Sequence, residues 1–419
     1  MLKTLFLIVT LTAGAAVASA QVLPGVGDTL GHTVPDTLGS ARDTARDTLN
    51  ATADTLRNAH ATAAAALLRS HRSLIDTDNQ GFPAVRFEVV AIAPSEAAIA
   101  TARARGFSVS QTTESRELGL TVIVLRAPPG MSTRRALTLL RQLDAEGVYD
   151  YNHIYFGAGP AQVSAQPTVQ TRRGRANGPR IGLIDSGIDA EHPAFANISV
   201  NQRGFAGAHA LADAHGTAVA SLIAHACPGA ALFVADIYGG QPNGGSAAAL
   251  VAAMAWLAQS RVSVINVSLV GPPNRTLEAV IRAAIAHGIV LVAAVGNDGP
   301  SAPPLYPASY PGVIGVTGVD AREHVLPEAG RGAQVDFAAP GSEMAAAALG
   351  GRYVTVRGTS FASPIVAGLI AGNLGDSDAA GAEATLARSA IDLGAHGVDP
   401  VYGAGFVGAE QRAAMVARR

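Results

Sequence analysis

Four short segments beyond residue 180 each end an apolar run, or open a run of small residues, on one polar side chain. Ile184-Asp185-Ser186-Gly187 supplies a carboxylate and His215-Gly216-Thr217 an imidazole; Val295-Gly296-Asn297 supplies an amide and Gly358-Thr359-Ser360-Phe361-Ala362-Ser363 a hydroxyl. A serine hydroxyl is a poor nucleophile at neutral pH, so Ser360 needs a base, and His215 is suited to take its proton and return it to a leaving amine. Asp185 would hold the imidazole tautomer and stabilise the imidazolium. Asn297, with the backbone N–H of Ser360, would donate to a developing oxyanion. Singly, each residue has a plainer reading: Asp185 as a helix cap, His215 as one of 11 histidines, Asn297 as a turn residue, Ser360 as an N-cap. Jointly, at element ends and in this order, they describe an acyl-transfer site. His192, His209, His225 and His287 lack such context and are expected at the surface.

Positioning these groups requires a rigid frame. Beyond residue 180, apolar strands are expected at Arg180 to Ile184, Ala231 to Ile237, Val262 to Val267, Ile289 to Ala294 and Val313 to Val319, alternating with helices such as Ser246 to Gln259 and Thr276 to His287. Strands apolar on both faces with helical crossovers predict an α/β fold, a parallel sheet covered by helices on both faces. Sites in such folds gather at the carboxyl ends of the strands.

Composition narrows the chemistry. The chain of 419 residues is 48% apolar and 15% charged, with a formal charge of -2, which gives no field to hold nucleic acid. Its one lysine, Lys3, excludes a lysine-bearing phosphate loop, a pyridoxal Schiff base and a Ser-Lys dyad in the folded protein. A single cysteine, Cys227, excludes an intrachain disulfide and a Cys-rich metal cluster. No cofactor and no metal are expected.

Toward the N-terminus, Lys3, the apolar run Leu5 to Val17 and Ala18-Ser19-Ala20 have the order of an export signal over residues 1–20, implying a secreted or periplasmic product with no anchor after cleavage. Residues 21–82 are of low complexity; Ala45, Leu49 and Leu56 fit a stripe on a weakly docked helix from about Ser40 to Ser73, with no chemistry assigned. Asp76 to Gly81 reads as a turn. Residues 83–156 read strand, helix, strand, strand, helix, strand, with Ser95 and Ser132 as N-caps, which suits a small α+β, ferredoxin-like sandwich. Residues 157–179, rich in Gly, Pro, Gln and Arg, are expected to be an exposed linker.

In the order Asp, His, Asn, Ser, the four segments resemble the signature blocks of the subtilisin-like serine proteases (subtilases, peptidase family S8); the resemblance covers roughly residues 180–410 and implies a catalytic domain over 180–419. Ile265-Asn266-Val267-Ser268-Leu269, Tyr306-Pro307-Ala308-Ser309-Tyr310-Pro311 and Ala338-Ala339-Pro340-Gly341 add to the resemblance. It implies an exported monomeric endopeptidase acting on protein or peptide substrates through Asp185, His215 and Ser360, with Asn297 in the oxyanion hole. It also implies that residues 83–156 are an inhibitory propeptide, the chain's own partner, removed by a cut between about Tyr155 and Pro179. The substrate wall would be Ser268, Leu269, Val270 and Gly271 facing Ala294, Val295 and Gly296, without a carboxylate and suited to small or medium apolar side chains. Two positions depart from the family pattern: Ala218, often a second histidine, and Val270, often a glycine. A stabilising calcium is not expected between His215 and Ala231, where no Asp, Glu, Asn or Gln occurs. Two other readings stay open: a catalytically silent peptide-binding relative, and an α/β-hydrolase esterase, which the absence of Gly-x-Ser-x-Gly counts against.

Overall fold

The computed structural model describes residues 60–157, 166–167, 178–375 and 378–416. The export-signal segment, the stripe Ala45 to Leu56 and most of the expected linker lie outside these residues. A first helix, α1, spans 60–70. It is followed at once by the strand β1 (Ile75–Thr77), so the small sandwich begins earlier than residue 83 and its first hairpin comes from the low-complexity region. Asp78 makes the hairpin turn, its Oδ1 accepting from the N–H groups of Gln80 and Phe82 at 2.8 Å each.

The sandwich continues through β2 (Pro83–Ile92), α2 (Glu96–Ala104), β3 (Ser108–Ser115), β4 (Leu120–Arg126), α3 (Thr133–Leu143) and β5 (Val148–His153). Ser95 and Ser132 accept from Ala98 and Arg135, capping the two helices as expected. Strand β2 pairs antiparallel with β5 along one edge and, along the other, with β1 at Pro83 to Val85 and then with β4 at Glu88 to Ile92. Alternation sorts its side chains: Val89 and Ala91, with Ile123 and Leu125 of β4, pack in one core with Leu137 and Leu140 of α3. Val90, Ile92, Val122 and Val124 face the other way and join the core of the larger domain.

That domain is built on a seven-stranded sheet. Its strands are β8 (Arg180–Asp185), β9 (Ser199–Gly204), β11 (Ala231–Asp236), β12 (Val264–Val267), β14 (Val290–Ala294), β15 (Val313–Val319) and β16 (Phe337–Pro340). All six pairings are parallel, in the order β16-β15-β14-β12-β8-β11-β9. Two-residue strands β6 (Phe156–Gly157), β7 (Gln166–Pro167), β10 (Leu211–Ala212) and β13 (Leu269–Val270) and a hairpin of β17 (Ser342–Ala348) and β18 (Arg352–Arg357) complete the strands. Helices α4 (Ala214–Ala226) and α7 (Ser363–Leu374) cover one face, packing against Ile181, Leu183, Leu232, Val234 and Val292. Helices α5 (Ala247–Gln259) and α6 (Arg275–Ala286) cover the other, against Ile184, Phe233, Ile265 and Leu291. Alternate residues of one strand therefore enter two cores, the reason these strands read as continuously apolar. Two further helices, α8 (Ala379–Ser389) and α9 (Ala409–Val416), complete the described chain.

The five strands expected from sequence are all present. The edge strands β9 and β16 were not expected, because Ser-Val-Asn-Gln-Arg-Gly is polar and Phe-Ala-Ala-Pro is short. The expected linker is not uniformly free: Gly157 belongs to β6, and β7 pairs with β10. His192 is also not at the surface. It is 1% exposed, with Nδ1 accepting from Ala194 N–H at 3.1 Å and Nε2 donating to the Arg352 carbonyl at 2.8 Å. Cys227, which ends α4, is buried, and burial pushes its thiol pKa up.

The sandwich docks through helix caps as well as apolar contact. Asn152 Oδ1 accepts from Ala248 N–H at the start of α5, and Asp150 Oδ2 from Arg275 N–H at the start of α6. Both donors are among those an isolated helix leaves unsatisfied.

Candidate active site

Asp185 closes β8, and its two oxygens lie 2.9 and 3.0 Å from Nδ1 of His215. A carboxylate only accepts, so Nδ1 carries the hydrogen and Nε2 of the neutral ring is an acceptor. Ser186 holds the acid from its other side: its N–H donates to Asp185 Oδ1 at 2.7 Å, while its hydroxyl accepts from Gly216 N–H at 3.0 Å. His215 sits in the first turn of α4, whose N-cap Asp213 accepts from the His215 N–H. Burial pulls the His215 pKa down, but the charge and hydrogen bond of Asp185 and the charge of Asp213 outweigh it, leaving the pKa above the ordinary histidine value. Burial, reinforced by Asp185, in turn raises the pKa of Asp213.

Ser360 lies in a single 3-10 turn, Thr359–Phe361, between β18 and α7. The turn is entered through Gly358 at φ 136°, a conformation that favours glycine. Nε2 of His215 and Oγ of Ser360 are both buried, and neither makes a hydrogen bond. The His215 ring lies 5.6 Å from that of Phe361, so imidazole and serine turn meet at one end of the sheet. Asn297 follows β14, and its Oδ1 accepts from Thr359 N–H at 3.1 Å, which makes Nδ2 the donating end of the amide. The Thr359 hydroxyl accepts from Gly296 N–H, tying the asparagine loop to the serine turn a second time.

The candidate wall divides in two. Ser268 is fully buried; its hydroxyl donates to the Ser360 carbonyl at 3.0 Å and accepts from Asn266 Nδ2 at 2.8 Å. Its single hydrogen being used, the 3.1 Å contact with Ser363 has Ser363 as donor. Ser268 therefore braces the serine turn, a role its sequence context did not suggest. Leu269 and Val270 instead pair antiparallel with β6, Gly157 opposite Leu269 and Phe156 opposite Val270. A β-carbon at Gly157 would lie 3.7 Å from Cε1 of His215. Ahead of β6, Ile154 bridges Ser246, the Tyr155 N–H donates to the Gly245 carbonyl, and the Tyr155 hydroxyl donates to Pro272 O at 2.9 Å. The chain from Ile154 to Gly157 thus runs as an added strand between two segments of the larger domain and ends against the imidazole. The last strand of the small unit expected over residues 83–156 ends at His153, and from Ile154 onward the chain leaves the sandwich for this cleft. No local signal marks the break. Beside Gly157 remains a cavity of about 290 Å³ lined by Leu67, Phe156, Asp185, Asp213, His215 and Tyr238 among others.

The family model of the subtilases (Peptidase_S8) matches residues 176–405, which contain all four polar groups of this site. The chain belongs to the subtilase family. The match covers the larger domain, so the sheet whose strands lead to Asp185 and Asn297, the helix that carries His215 and the turn that carries Ser360 form the subtilase domain. This subtilase is 31% identical over 233 residues to a subtilisin of Bacillus pumilus, which covers 51% of this chain and 82% of that protein. It is 31% identical to subtilisin E of Bacillus subtilis (strain 168), covering 51% of this chain and 59% of that one. Among solved structures it resembles fervidolysin from Fervidobacterium pennivorans, a keratinolytic enzyme related to subtilisin, at a TM-score of 0.66 and 19% identity, covering 81% of this chain and 62% of that one. Family and homologues indicate a serine endopeptidase, a hydrolase. No helix among the described residues of this subtilase is long and apolar enough to cross a membrane.

Proposed function

We propose that this subtilase is an exported endopeptidase made as a zymogen, with Ser360 as nucleophile, His215 as general base, Asp185 as its orienting acid and Asn297 as oxyanion donor. The observation that carries the reading is the contact of both Asp185 oxygens with His215 Nδ1, which turns an unprotonated Nε2 toward the end of the sheet that bears an unpartnered Ser360 hydroxyl. Ser360 Oγ attacks a peptide carbonyl as His215 takes its proton. The oxyanion receives hydrogen bonds from Asn297 Nδ2 and the Ser360 N–H, His215 then protonates the leaving amine, and water hydrolyses the acyl-enzyme by the same relay.

Latency arises from the strand in the cleft. Residues 75–157 act as a propeptide whose segment Phe156–Gly157 lies in the groove a substrate would take, and the maturation cut falls between about Tyr155 and Pro179, in the stretch rich in Gly, Pro, Gln and Arg. The order Lys3, apolar run, Ala18-Ser19-Ala20 supports export.

The test is to express the full chain and its Ser360→Ala form in a protease-free system. Wild type should lose its N-terminal part and label with a fluorophosphonate; Ser360→Ala should stay full length and unlabelled. Normal processing of the mutant would overturn the autocatalytic reading, and an unlabelled wild type would favour a silent peptide-binding relative.

A further inference from the structure

We propose that Leu305 and Val270 close the pocket for the residue before the scissile bond, so this enzyme cuts after glycine, alanine or serine and rejects larger side chains. The proposal rests on the peptidase reading above and concerns its substrate class.

The β6–β13 ladder locates the pocket. It sets Phe156 opposite Val270 and Gly157 opposite Leu269, so a substrate strand in the same register brings its next residue opposite Ser268. Ser268 holds the Ser360 carbonyl, and a β-carbon built on Gly157 would lie 3.7 Å from the His215 ring, so the carbonyl of that next residue is the one Ser360 can reach. Its side chain must enter between the extensions of two neighbouring strands, β12 leading to Leu269 and Val270 and β14 leading to Val295 and Gly296. Those strands pair directly, Val267 opposite Ala293.

That space is already filled. Val270, Ala294 and Leu305 form a separate apolar cluster and are 1%, 0% and 8% exposed. A β-carbon added at Gly296 would come within 2.7 Å of Leu305 Cδ1 and 3.4 Å of Val270 Cγ1, so not even a methyl group fits there without displacement. The backbone beside Leu305 is held in place, because the next residue, Tyr306, exchanges both backbone hydrogen bonds with Gly271, at 2.9 and 3.0 Å. A phenylalanine, leucine or lysine entering this slot would have to eject a packed side chain, and lysine would find no carboxylate among the lining residues.

The experiment compares kcat/KM of the self-processed wild-type enzyme on peptides differing only in the residue before the cut: Gly, Ala, Ser, Leu, Phe and Lys. Alanine should be favoured over phenylalanine and leucine by about 100-fold. In Leu305→Gly and Leu305→Gly/Val270→Gly forms, the phenylalanine-to-alanine ratio should rise at least about tenfold. Fluorophosphonate labelling checks that each variant keeps a working site, and the wild-type profile decides the matter where a variant fails to fold. Wild-type cleavage after phenylalanine or leucine within about tenfold of alanine would overturn the pocket while leaving the peptidase intact. Hydrolysis of none of the peptides by unlabelled enzyme, a separate sample of which takes the label, would overturn both.

Discussion

His60 donates from Nδ1 to the Asp298 carboxylate across 2.9 Å, joining a helix that precedes the sandwich to the loop immediately after Asn297. The His60 ring also lies 5.2 Å from the Phe156 ring, and Leu67 and Leu68 of the same helix pack with Phe156 and Ile154. Helix α1 therefore roofs the strand that occupies the cleft. Sequence suggests only a weakly docked spacer here, since so few large apolar residues mark its stripe. Leu67→Asp combined with His60→Ala removes roughly 1 to 2 kcal/mol of this contact, about tenfold in the hold on the cleft strand. The full-length double variant should reach peak peptidase activity after a shorter lag than wild type. An unchanged lag would show that α1 does not contribute to latency.

Asn297→Ala should process slowly and cleave peptides poorly. Loss of one side-chain donor to the oxyanion lowers kcat by about 10² to 10³ with little change in KM. Its Oδ1 also holds Thr359 N–H, so a melting curve of the same variant separates a displaced serine turn from a lost donor.

The acid limb of activity should respond to Asp213. His215 works as a base only when unprotonated, so kcat/KM climbs as pH rises through its pKa, which Asp185 and Asp213 hold above the ordinary value against burial. Asp213→Asn keeps an oxygen for the His215 N–H and removes one of the charges that favour the imidazolium. The pKa falls, and the variant should retain more of its maximal activity than wild type below neutral pH. A limb that stays in place would mean that Asp213 is not ionised where His215 titrates.

Asp336 predicts a stability change of opposite dependence. Burial pushes its pKa up to about 6, partly offset by the Gly315 N–H and reinforced by Glu383. A carboxyl raised above its unfolded value favours the folded state most below the unfolded pKa, and that contribution is lost as pH rises through about 6. Asp336→Asn retains the acceptor for Gly315 and should raise Tm at pH 8 by roughly 2 to 4 °C, with no gain at pH 4. A gain at both pH values would point to packing instead of ionisation.

Much of the chemistry was legible without a fold. Asp185, His215, Asn297 and Ser360 are read from residue type and from neighbours a few positions away, because strands end on polar residues and helices start on caps such as Ser95, Ser132 and Ser246. The central strands were legible for the same reason, being apolar on both faces. The features that stayed hidden depend on partners remote in sequence. Nothing near Tyr155 says that the chain abandons its sheet there to pair with Val270, and nothing near Leu305 says that it packs on Val270 and Ala294. The same holds for Ser268, whose hydroxyl serves Ser360, and for His192, buried by an acceptor on β18. Local periodicity and capping are properties of a few consecutive residues, whereas strand pairing, burial and the filling of a pocket depend on which distant segment arrives opposite. The sequence by itself determined the family and the candidate polar groups; the tertiary structure decided which segments meet at them, because Phe156 and Gly157 pair with Val270 and Leu269 far away in the chain.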